Sequence, residues 1–88
     1  MSYLGLDPTA VRNLAAQLNN AASEIQNISG QLTHQLQNAP WTGPDREQFV
    51  NEWQSTHLNQ LHTVVQALQH AAQTANRNAQ DQETVSQS

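Results

Sequence analysis

The sequence predicts an all-α protein: an antiparallel helix-turn-helix hairpin, assembling with a second hairpin into a four-helix bundle dimer. Three observations carry this. Two long stretches place apolar residues three or four apart, the rhythm of an amphipathic helix and not of a strand. Between them, Pro40-Trp41-Thr42-Gly43-Pro44 breaks any helix that would run through. The apolar surface is also wider than one helix–helix seam, on a chain without cysteine to staple it.

The single domain divides into an N-terminal arm at 1–6, helix one at 7–39, the turn at 40–43, helix two at 44–79 and a flexible tail at 80–88. Tyr3 and Leu4 give the arm apolar side chains. Asp7-Pro8 suits a helix start, with Asp as the N-cap and Pro in the first turn. The stripe of helix one then reads Val11, Leu14, Leu18, Ala21, Ile25, Ile28, Leu32, Leu36 and Ala39. Gly30 interrupts that helix and costs roughly 1 kcal/mol against alanine. Its readings are a close helix contact or a tolerated weak spot.

The residue before a proline is pushed toward extended backbone, which marks Ala39 and Gly43 as boundaries. Helix two starts at Thr42 or Gly43, with Pro44 in the first turn. Asp45 and Glu47 there complement the positive end of the helix dipole. Its stripe is Phe49, Trp53, His57 or Leu58, Leu61, Val65, Leu68, Ala72, Ala75 and Ala79. Beyond Gln80 the chain is polar apart from Val85, so the tail is expected to fray.

Helices of roughly 45 and 54 Å joined by so short a linker must fold back on each other. Ala15 and Ala22 on helix one, with Val64 and Ala71 on helix two, extend the apolar surface past the mutual seam. The expected hairpin and dimer core is therefore Val11, Leu14, Leu18, Ile25, Ile28, Leu32, Leu36, Phe49, Trp53, Leu58, Leu61, Val65 and Leu68. Trp41 is outside every stripe. It either closes the bend or meets a partner.

Composition removes several function classes. In 88 residues there are three arginines, no lysine and a formal charge of −4, so no basic patch exists to hold a nucleic-acid backbone. An anionic membrane surface is disfavoured for the same reason, and no apolar run approaches a membrane span. Membrane insertion is not expected. The surface is polar through fourteen glutamines and nine asparagines. His57, His62 and His70 never form the i,i+4 pair that would aim two metal ligands from one helical face. Asp45, Glu47 and Glu52 gather at a helix start, but a two-helix hairpin offers no cleft to perturb their acidity. Catalytic, cofactor and metal sites are accordingly expected to be absent, and the chain is read as a non-enzyme. Nothing resembles a secretory signal peptide, so any export is expected to bypass the general secretory route.

Trp41-Thr42-Gly43 resembles the Trp-x-Gly signature of the small WXG-hundred (early-secreted-antigen-like) proteins of bacterial type VII, or ESX, secretion. The motif sits mid-chain between two amphipathic helices, Pro44-Asp45 follows it, and Phe49 stands six residues after Gly43. The resemblance covers essentially the whole chain. It implies a turn motif at Trp41, Thr42 and Gly43 used for recognition. It also implies a dimer with itself or with a sister Trp-x-Gly protein, and engagement of a type VII secretion ATPase. A protein of this kind would be cytoplasmic before export and then secreted or held at the cell surface, acting by protein–protein contact as a substrate or a secretion partner. The sequence departs from the family at its tail, where family members often carry a tyrosine four residues before an acidic residue. Here the sole tyrosine is Tyr3, and Arg77 and Ala79 stand four before Asp81 and Glu83. Direct recognition, a sister that supplies the tail, and no export are the alternatives this leaves. The last corresponds to an intracellular structural or adaptor hairpin that dimerises.

Overall fold

The computed structural model describes residues 7–87. All regular structure among them is helical: α1 (Pro8–Asn38), α2 (Pro44–Glu52), one π-helical turn (Trp53–His57) and α3 (Leu58–Gln87). The last three join into one long rod that packs antiparallel against α1, giving a hairpin 66 × 17 × 15 Å. The expected arm at 1–6, with Tyr3, lies outside the described residues.

α1 starts as its sequence dictates. The Asp7 carboxylate accepts from the Thr9 N–H at 3.0 Å, and its carbonyl accepts the first helical bond from Val11. α1 ends at Asn38 because Ala39, facing Pro40, takes an extended conformation (φ −69°, ψ 141°).

The seam is rotated from the expected one. On α1 it runs through Val11, Ala15, Leu18, Ala22, Ile25, Ser29, Thr33 and Leu36, all buried or half-buried. Ala15 and Ala22, expected beyond the seam, are its most buried members. Leu14, Ile28 and Leu32, expected within it, are 51%, 52% and 42% exposed. Both choices satisfy a three-four rhythm, since Val11, Leu18 and Ile25 alternate equally well with either set. Small residues win because the facing rod also presents alanines, Ala72 and Ala79, alternating with Val65, Leu68 and Ala75. Backbones that approach closely bury more of each other per turn.

The second rod keeps its own rhythm through the π-turn. Seam residues fall at Leu58, Leu61, Val65, Leu68, Ala72, Ala75, Ala79 and Gln82, in steps of three and four. Upstream they are Arg46, Val50 and Trp53. The joining step, Trp53 to Leu58, is five. An α-helix cannot hold both ends of a five-residue step on one face; a wider turn can. The Leu58 N–H accordingly reaches back to the Trp53 carbonyl, one residue further than α-helical bonding. A straight helix would have put Gln54 and Asn51 in the seam in place of Trp53 and Val50. This resolves His57 or Leu58 in favour of Leu58.

The tail from Gln80 is not frayed: α3 continues to Gln87. Ala79 is fully buried, Gln82 and Glu83 are half-buried, and Glu83 pairs with Arg12 on the first turns of α1.

Candidate functional site

The turn is built by complementary restrictions. Pro40 sits at the centre of a γ-turn closed by the Trp41 N–H on the Ala39 carbonyl at 2.8 Å. Gly43 then takes φ 122°, ψ 177°, a region open essentially to glycine alone, and serves as N-cap of α2 without any side-chain cap. Thr42 does not cap the helix. The Gly43 carbonyl accepts from Glu47 at 3.1 Å, and Asp45 and Glu47 occupy the first turn as expected from the helix dipole. Arg46 donates to the Leu36 carbonyl at 3.2 Å, satisfying one of the orphan acceptors at the end of α1.

This leaves Trp41 outside the hairpin core. Its ring rests on Phe49, centroids 6.0 Å apart and tilted by 54°, and the two are 40% and 41% exposed. Phe49 therefore belongs with Trp41 at the tip, not with Trp53 in the seam. Beside the pair is a concavity of about 290 Å³ lined by Gln37, Trp41, Gly43, Arg46 and Glu47, among others. It combines an aromatic wall with one guanidinium and one carboxylate.

A second surface follows from the seam's phase. Arg12 and Glu83 meet on one flank of the hairpin, and Gln26 and His62 line a groove on that same flank. In an antiparallel helix pair, the positions on the other side of the seam then share the opposite flank. On α1 these are Leu14, Ala21 and Ile28; on α3 they are Val64 and Ala71. One flank is polar and the other apolar. Leu14, Ile28, Leu32 and Val64 are large exposed side chains on the apolar one.

No protein-family model, curated protein or solved structure matches this chain.

The remaining expected core residues, Val11, Leu18, Ile25, Leu36, Trp53, Leu58, Leu61, Val65 and Leu68, are all buried or half-buried in the hairpin. Among the described residues no group of three or more His, Cys, Asp or Glu side chains could hold a metal ion. His34 bonds locally with Asn38, and His57 lies against the Trp53 ring at 6.3 Å. No described helix is long and apolar enough to cross a membrane. Sequence reasoning missed Thr33 and Ser29, polar residues in the seam, and Arg46 as the clamp on α1. A signal for the first two existed: they continue the spacing from Ala15 and Ala22.

Proposed function

We propose that this chain is a small type VII secretion substrate or secretion partner, working by protein–protein contact as a homodimer or with a sister Trp-x-Gly protein. The observation that carries the reading is the tip. Trp41 and Gly43 stand in a turn whose shape the prolines and the glycine fix. The Trp41 ring is held on Phe49 at the surface instead of being spent in the core. A rigid, half-exposed aromatic pair is the kind of anchor that dominates protein recognition. The resemblance of Trp41-Thr42-Gly43 to the family signature gives that anchor its partner, the secretion ATPase. The apolar flank of Leu14, Ala21, Ile28, Val64 and Ala71 is the surface offered to the second hairpin, completing a four-helix bundle.

Tip and tail of one chain lie at opposite ends of a molecule 66 Å long. A signal combining both needs a partner packed head-to-tail. Residues 80–88 carry no tyrosine four before an acidic residue, and the reading gives the tip more weight than that stretch. The competing reading, an adaptor hairpin that dimerises and stays inside the cell, draws on that same missing tyrosine.

The experiment compares wild type with Trp41→Ala, measuring dimer by analytical ultracentrifugation and export in culture supernatants, with and without the secretion ATPase. ATPase-dependent export that fails in a Trp41→Ala variant still able to dimerise supports the reading. Export unaffected by Trp41→Ala refutes the role of the tip. No export of the wild type leaves the adaptor as the function.

A further inference from the structure

Both strands of the hairpin are weakened at the same level along its length. On α1 the weak point is Ser29-Gly30, followed by Thr33. Ser29 Oγ donates to the Ile25 carbonyl at 2.7 Å and Thr33 Oγ1 to the Ser29 carbonyl at 2.8 Å, back-bonds that compete with helical ones and bend helices. Gly30 is exposed, and a Cβ there would meet nothing within 4 Å, so no close contact calls for the glycine. On the second rod the weak point is the π-turn Trp53–His57, with Ser55 back-bonded to the Asn51 carbonyl. Glycine–serine pairs and π-turns are among the few features at which helices kink sharply. The two are joined directly, because Trp53 Nε1–H donates to Thr33 Oγ1 at 2.8 Å. Immediately on the body side lies the groove of about 170 Å³ lined by Gln26, Ser29, Leu58, Leu61, His62 and Val65.

We infer that Ser29-Gly30 and Trp53–His57 together form a hinge across the hairpin, about which the tip-bearing end, Gln31–Glu52, bends against the body. In this sequence the π-turn keeps Val50 and Trp53 in the seam, but the residue that makes it necessary is dispensable. Removing one residue between Trp53 and Leu58 makes the five-residue step four, and the seam then reads in unbroken threes and fours from Arg46 to Gln82. The extra residue is a departure from regular helix that packing does not demand, which is where strain or mobility marks use. The use assigned here, letting the tip follow a partner while the body stays paired, rests on the reading of the tip as a recognition element. The hinge itself does not.

Amide hydrogen exchange on the full-length protein, without any partner, tests the hinge. Residues 29–34 and 53–59 should exchange faster than 15–25 and 65–75. Gly30→Ala, which removes the glycine's helix penalty, should slow exchange about fivefold. It should do so in both stretches although only α1 is altered. Deleting Thr56 should also slow both and leave a folded hairpin. Uniform exchange along the rods overturns the hinge, as does a Gly30→Ala effect confined to 29–34, which would mean two independent soft spots. A Thr56 deletion that fails to fold overturns the claim that the extra residue is dispensable to packing. Export measured on Gly30→Ala beside Trp41→Ala then separates the two ideas. Loss in both supports the hinge's use. Loss only in Trp41→Ala removes that use while keeping the tip, and loss in neither removes the recognition reading on which the use rests.

Discussion

Trp53 Nε1–H donates to Thr33 Oγ1 at 2.8 Å, and it is a side-chain hydrogen bond between the two rods in the half-buried part of the seam. The Thr33 hydroxyl is in turn satisfied on the Ser29 carbonyl, so its oxygen is oriented to accept. Such a bond contributes about 1 kcal/mol net. Trp53→Phe removes the donor and Thr33→Val the acceptor. A double-mutant cycle by thermal unfolding should return a coupling of roughly 0.5–1.5 kcal/mol. A coupling of zero would mean the bond does not form in solution.

Ala22 and Ile28 make opposite demands on their surroundings. Ala22 is 1% exposed in a seam of small residues, so Ala22→Leu overpacks it and should cost about 1–3 kcal/mol. Ile28 lies on the apolar flank, and Ile28→Ser should leave the isolated hairpin within about 0.5 kcal/mol. If that flank pairs with a second hairpin, the wild type loses thermal stability over about a hundredfold dilution, because dimerisation and folding are coupled. Ile28→Ser should flatten that dependence. A wild type that melts identically at all concentrations, as a monomer, removes the four-helix bundle.

Gly43→Ala tests the turn by backbone conformation alone. Nothing lies within 4 Å of the added carbon, so no clash contributes. The strain of placing alanine at φ 122° remains, at about 1–3 kcal/mol. The expected outcome is a lower melting temperature with the helical signal retained. An unchanged melting temperature would show that the turn relaxes to another shape.

Truncation after Ala79 removes the last two turns of α3. It also removes the Arg12–Glu83 pair, which is exposed and contributes at most about 1 kcal/mol. Circular dichroism should show the loss of two helical turns with the hairpin still folded. No change in helical signal would mean that Gln80–Gln87 is not helical in solution.

The helix-turn-helix architecture was legible because its determinants are local. Asp7-Pro8 starts α1, Pro40 and Pro44 bracket the break, and Gly43 supplies backbone angles that other residues resist. The exposed position of Trp41 was half legible: no stripe required it, but whether it closed the bend or faced outward depended on where Phe49 pointed. The π-turn had its trace in the five residues between Trp53 and Leu58, readable only once Val50 and Trp53, not Asn51 and Gln54, are known to face α1.

By itself the sequence determined two amphipathic helices, their break and their antiparallel return, since periodicity, proline geometry and chain length act on each segment separately. Only the tertiary structure decided which side of α1 faces inward. Leu14, Ala21 and Ile28 compete with Ala15, Ala22 and Ser29 for the same seam, and both sets have the right spacing. The choice rests on how closely two backbones approach, a property of the pair and of neither helix alone. Ala72 and Ala79 across the seam favoured the small set, and the larger side chains were left on the outer flank. The tail was decided the same way. Gln80–Gln87 is too polar to read as a core helix, yet Gln82 is half-buried in the seam and Glu83 meets Arg12 of α1.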